Sequence, residues 1–134
     1  MADANFQNVR EYKDISLSMG LNPVTNDIIT LTGAAAVVRS IKTLMQTYAG
    51  EVPFFPDFAS RLRELLFEPI DSITTSLIET ELQTILDAYE PRATIQTITV
   101  TPDPDNNQYL VLLEIQIVNT AEDVTFSLYL KRLR

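Results

Sequence analysis

The sequence predicts an α+β fold in which short N-terminal strands and helices precede a C-terminal antiparallel β-meander. Apolar residues recur at helical spacing through 33–90, and the period switches to two from Arg92 onward. Breakers fall between these patterns, at Gly50, Pro53, Pro56, Pro69, Pro91 and Pro102. The length, 134 residues with 46% hydrophobic and 21% charged, suits one domain rather than two. The reading divides 1–134 into a polar arm at 1–13, a helical part at 33–90 and a meander at 92–132.

Past the arm, Ile15, Leu17 and Met19 alternate as in a short strand, 20–26 interrupts, and Ile28, Ile29 and Leu31 suit a second extended piece. From 34 to 47 good helix formers run without a breaker, and Val37, Ile41, Leu44 and Tyr48 form a stripe that Val38 and Met45 widen. Residues 49–56 stop that helix, and Phe54 and Phe55 within them are expected to be buried. A short helix over 57–67 follows, with Phe58, Leu62, Leu65 and Leu66 on one side. Asp71 or Ser72 caps the next helix, where Ile73, Leu77, Ile78, Leu82, Ile85, Leu86 and Tyr89 mark the apolar face up to Pro91. In the meander Ile98 and Val100 share a face, followed by Tyr109, Val111, Leu113, Ile115 and Ile117. The last strand points Val124, Phe126, Leu128 and Leu130 inward and Thr125, Ser127, Tyr129 and Lys131 outward.

Composition closes several chemical routes. Without Cys or His the chain builds no disulfide, zinc finger, thiol nucleophile or Ser/His/Asp triad of its own. A formal net charge of −8 argues against bulk electrostatic binding of nucleic acid or anionic lipid. Residues 1–12 lack a signal-peptide core, and no apolar run approaches the roughly 20 residues that span a bilayer, so a soluble chain is expected. Asp103, Asp105, Asn106 and Asn107 lack the Gly and distal Glu of an EF-hand and read as a turn, so no metal or other cofactor is expected. Glu64 with Glu68, or Glu79 with Glu81, are the carboxylate pairs available for acid and base work. Such positions more often form a solvated helix face, and no catalytic residue is assigned.

Two places invite a partner. Glu90-Pro91-Arg92 joins the long helix to the meander: Pro91 ends the helix and Arg92 suits its negative end, which makes a structural joint. Alternatively, Pro91 fixes the direction of two charges that serve a partner. The meander also leaves a strand edge, which Tyr129, Lys131 and Arg132 either guard or leave open to an added strand beside Val124, Phe126, Leu128 and Leu130. Proline at Leu128 or Leu130 is expected to block such addition. The cationic end at Lys131, Arg132 and Arg134 reads as a solvated strand end.

Six segments belong together: Tyr12-Lys13-Asp14-Ile15, Asn22-Pro23-Val24-Thr25-Asn26-Asp27 and Val38-Arg39-Ser40-Ile41-Lys42-Thr43-Leu44, then Pro53-Phe54-Phe55-Pro56-Asp57-Phe58, Arg61-Leu62-Arg63-Glu64-Leu65-Leu66-Phe67-Glu68 and Tyr89-Glu90-Pro91-Arg92. Taken together they resemble the baseplate wedge proteins of contractile phage tails, a lysozyme-like family shared with the baseplate of type VI secretion systems. The last segment resembles the family's Glu-Pro-Arg motif. The family usually has Gly where this chain has Ala59, so the turn before the short helix is expected to be built differently.

The resemblance implies a structural protein, not an enzyme, in the tail baseplate of a virion, assembled in the host cytoplasm. It implies that Glu90, Pro91 and Arg92 contact the core bundle of other wedge subunits. It also implies a fold like the sheath's interlocking, or handshake, module, presented to the first ring of tail sheath protein. Six copies are expected in the assembly and a monomer in isolation, with no nucleic acid, membrane or cofactor involved. Sheath assembly would be templated by strand addition at Val124, Phe126, Leu128 and Leu130. Arg92→Ala is then expected to weaken incorporation into the wedge while the isolated domain stays folded. The alternatives are a carboxylate-dependent peptidoglycan hydrolase of lysozyme type and a generic binding module.

Overall fold

A computed structural model describes residues 11–58 and 60–133. Most of the arm, Ala59 and Arg134 therefore lie outside the described residues. Strands β1 (Lys13–Ile15) and β2 (Thr30–Thr32) form a small antiparallel pair that matches Asp14 with Leu31. The first strand is shorter than its alternation predicts: Leu17 and Met19 lie in turns and are exposed, with Met19 at φ 51°. Helix α1 (Gly33–Gln46) follows β2 without a linker. Gly33 makes that turn at φ 57° while its N–H donates to Tyr12 O at 2.8 Å, a conformation that is unfavourable for any residue with a Cβ.

Residues 49–58 form a chain of tight turns, with Phe55 N–H bonded to Val52 O and Phe58 N–H to Phe55 O. These turns push Phe54, at 97% exposure, and Phe55 into solvent, against the expectation of burial. They also shorten the predicted 57–67 helix to α2 (Leu62–Leu65). Buried Ser60 bridges to Tyr48 and its Oγ accepts the Leu62 N–H at 2.9 Å, which sets the late start. Phe58 still packs edge-on against Tyr89, with ring centroids 4.8 Å apart.

Helix α3 (Ser72–Tyr89) is capped by Asp71, which accepts the Thr74 N–H at 2.7 Å. That backbone bond holds the Asp71 carboxyl below its ordinary range. The buried stripe runs through Thr74, Ile78, Leu82, Ile85 and Leu86, whereas Ile73 and Leu77 are exposed. The sequence offered two overlapping apolar stripes about 100° apart, and packing against the sheet selects the second. No helix among the described residues is long and apolar enough to cross a membrane.

The meander is as predicted: β3 (Ala93–Asp103), β4 (Gln108–Ile117) and β5 (Asp123–Lys131) lie antiparallel in the order β3-β4-β5. Tyr109, Val111, Leu113, Ile115 and Ile117 of β4 are all buried under α1 and α3, each aliphatic side chain contributing about 1.5–3 kcal/mol. Ile95 and Ile98 stand three residues apart, an odd spacing that would put them on opposite faces of a regular strand. A bulge resolves this: Ile95 pairs with Ile115 and Thr97 with Glu114, leaving Gln96 as the extra residue.

Deleting Gln96 is therefore expected to leave a regular ladder and a folded chain, because every inward residue keeps its face. Deleting Thr99 should instead put Ile98 outside and Thr97 inside, destabilising by about 2 kcal/mol or more. Thermal melts of the two deletions distinguish these outcomes.

Candidate functional site

The joint between α3 and β3 is closed by its own charges. Glu90 caps α3, its N–H bonding Leu86 O at 2.9 Å, and its side chain turns inward to 3% exposure. There Arg92 grips it with two bonds, Nε to Oε1 at 2.6 Å and Nη2 to Oε2 at 2.8 Å. Ser40 of α1 also hydrogen-bonds the Glu90 carboxylate. Burial pushes the Glu90 carboxyl up, but the bonds from Arg92 and Ser40, with the charge of Arg92, outweigh it and hold the group below its ordinary value. Glu90 in turn raises the Arg92 guanidinium above its ordinary value. The guanidinium also lies 5.6 Å from the centroid of the Tyr12 ring, so one pair links α1, α3, β3 and the segment before β1.

Glu90 and Arg92 thus come together as the sequence placed them, with Pro91 exposed between them, but they face each other. Arg92→Ala therefore acts on the isolated chain as well as on any partner, because the Arg92 charge already serves Glu90. Ser40 and Tyr12 went unassigned, and only the Ser40 position inside a helix otherwise faced by apolar residues hints at its role.

The second candidate is the sheet edge, and the register decides which residues form it. Ile117 N–H bonds Glu122 O, and Arg132 N–H bonds Asn107 O, one at each end of the β4–β5 ladder. In an antiparallel pair bonded and non-bonded positions alternate, so even-numbered residues of β5 turn their backbone groups to β4. This corrects the assignment of the edge to Val124, Phe126, Leu128 and Leu130. Their side chains face the core and their peptide groups are used inside the sheet. Thr125, Ser127 and Tyr129 carry the outward groups, and proline at Leu128 or Leu130 would break the β4 ladder instead of blocking the edge.

The opposite edge is blocked at two places. By the same parity Ile98, Val100 and Pro102 of β3 point away from β4. Glu79 of α3 accepts the Val100 N–H at 3.1 Å, and Pro102 has no N–H to offer. Among the described residues no strand lies beyond β5. Glu79 was readable only as a helix-face acid, and Pro102, expected as a breaker after the strand, lies inside β3, where its missing N–H falls on the outer edge.

The remaining candidates are held by local bonds. Glu79 is held by Val100, Glu81 accepts the Arg61 N–H at 3.0 Å, and Glu64 pairs with exposed Arg61 at 3.1 Å. Glu68 lends its carbonyl to Arg132 Nε at 2.9 Å, which draws the cationic end back onto the chain. Asp103 bonds Asn106 and Gln108 and forms the turn expected of it, with Asn107 at φ 53°. Among the described residues no group of three or more acidic side chains is arranged to hold a metal ion.

Over residues 32–123 the chain matches the sequence profile of the family described as baseplate wedge protein gp25. A protein of that name from Enterobacteria phage T4 is 25% identical over 112 residues, spanning 84% of this chain and 75% of its own length. A chain in the anti-feeding prophage baseplate superposes with a TM-score of 0.71 at 18% identity, covering 84% of this chain and 90% of that one. A Geobacter sulfurreducens chain provisionally called a tail lysozyme gives 0.68 at 24% identity, covering 73% and 89%. At these identities the two structures share the fold.

Arg92→Ala is expected to destabilise the isolated chain by about 2–3 kcal/mol, less than a fully buried pair loses because Arg92 is 28% exposed. Because Glu90 is held below its ordinary value, its stabilising contribution is complete above that ordinary value and disappears as the pH falls through the folded one. Glu90→Gln should remove this share of the acid limb and leave the shares of Asp71 and Asp103, both also lowered by hydrogen bonds. Chemical denaturation across the acid range measures both effects.

Proposed function

Because the chain belongs to the baseplate wedge protein gp25 family, we propose that it joins the core of a baseplate wedge to the first ring of the tail sheath. As a family member it is a structural component of a contractile-tail baseplate. In the proposed role the β5 edge accepts an arm of the sheath protein as a fourth strand. The joint at Glu90-Pro91-Arg92 meets the other wedge subunits, and six copies around the tail set the register in which the sheath starts.

The observation that supports this reading is the asymmetry of the sheet. One edge is blocked at two of its three outward N–H positions by Glu79 and Pro102, while the other leaves the peptide groups of Thr125, Ser127 and Tyr129 facing outward. Strand addition takes its affinity from such groups and its register from side-chain alternation, so it requires neither pocket nor cofactor. At the joint, Pro91 is exposed, Arg92 keeps three N–H donors beyond the two bonded to Glu90, and Glu90 acts as the residue that positions Arg92. A ladder of main-chain bonds moves with its sheet, which suits a link that must survive contraction.

Ser127→Pro is expected to leave the chain folded and bound in the baseplate while abolishing the first sheath ring, whereas Leu128→Pro unfolds it. Thermal melts establish folding, and cryo-electron microscopy of particles carrying each variant reads assembly. A folded Ser127→Pro chain that supports normal sheath growth would overturn the strand-addition role.

A further inference from the structure

Between the β1–β2 pair and α1 lies a groove of about 290 Å³, with Ile15, Leu17, Leu44, Phe58 and Tyr89 among its apolar walls. Arg39 of α1 also lines it, and its Nε is fully buried without a hydrogen-bond partner. The other polar groups of the wall are occupied. Thr43 Oγ1 donates to Arg39 O at 3.0 Å and Thr47 Oγ1 to Thr43 O at 2.8 Å. Tyr89 donates its hydroxyl to Asp57 O at 3.0 Å, and Ser40 is bonded to Glu90. Asp14 accepts the Ile15 N–H at 2.8 Å, and Arg92 already closes the Glu90 carboxylate.

Arg39 thus brings a cationic side chain to an otherwise apolar slot and keeps one donor, Nε, unmet within the fold, whereas buried donors in folded proteins find acceptors. The acceptor that matches a guanidinium best is a carboxylate. A protein acid fits better than a nucleic-acid phosphate, because the walls are apolar and the net charge of −8 repels a polyanion. We propose that this groove seats an acidic side chain of a neighbouring baseplate subunit, held by a charge-assisted bond to Arg39 while the residues beside it pack on Leu17, Phe58 and Tyr89. The inference rests on the wedge reading, but none of the groove residues belongs to β5.

Two variants of the full chain, expressed in place of the native one, test it. Arg39→Met should leave the melting temperature of the isolated chain unchanged or higher, since it removes an unmet donor. The same change should lower the amount of chain in purified baseplates about tenfold or more. Arg39→Lys places an amine at the same point, and zero-length carbodiimide coupling of purified baseplates should then join position 39 to an Asp or Glu of another subunit. A lowered melting temperature for Arg39→Met, its incorporation at the native level, or coupling to Asp14 alone would overturn the groove proposal. Absence of the native chain from the baseplate would overturn the wedge reading instead, so the two failures are distinguishable.

Discussion

Strand β4 has to satisfy two neighbours with one backbone. Its odd-numbered peptide groups bond β5 and its even-numbered ones bond β3, while its odd-numbered side chains from Tyr109 to Ile117 fill the core. Once that parity is set, little else in the sheet is free. Val100 and Pro102 must stand on the outer side of β3, where a proline does no harm and a lone N–H can be met by a helix side chain. Thr125, Ser127 and Tyr129 must stand on the outer side of β5. The same period forces the bulge at Gln96, since Ile95 and Ile98 reach one face only if a residue between them is left out of the ladder.

The joint obeys a different constraint. A carboxylate buried at the end of α3 is costly unless it is paired and its remaining lone pairs are met, and Arg92 with Ser40 does both. Proline between the two charges keeps helix geometry from continuing through Glu90 and brings Arg92 back over it. A buried pair of this kind adds less to stability than an apolar pair of the same size would, so its use lies in fixing one angle between helix and sheet. Tyr12 against Arg92 and Gly33 against the Tyr12 carbonyl carry that orientation to the N-terminal strands.

Legibility in the sequence followed the number of residues that vote on each feature. Five alternating apolar residues made β4 unambiguous, and Asp71 and Ser72 before a helical run placed the α3 cap to within one residue. The face of α3 was harder, because Ile73 and Leu77 belong to a competing stripe that only the sheet rejects. Phe54 and Phe55 misled because hydrophobicity argues for burial while the prolines around them dictate turns, and the turns prevailed. The site was legible as places and not as atoms. Glu90 and Arg92 stand out in the sequence, but not that they face one another; an exposed β5 edge stands out too, but side-chain alternation does not say which of its peptide groups point outward.

That parity bears on how an edge of this kind acts in an assembly. Three outward residues offer six backbone bonds, each contributing about 1 kcal/mol net, or about 6 kcal/mol in all. Bringing two free proteins together costs about 4–15 kcal/mol in lost motion, so a single added strand is marginal between molecules in solution. In the proposed ring of copies that cost would be met largely once, and each later arm would find its edge at high effective concentration. Strand addition would then discriminate by context: negligible for the isolated chain, strong where neighbouring edges are held in order. A marginal edge suits the proposed role, because one that bound arms tightly in solution would start sheaths away from a baseplate.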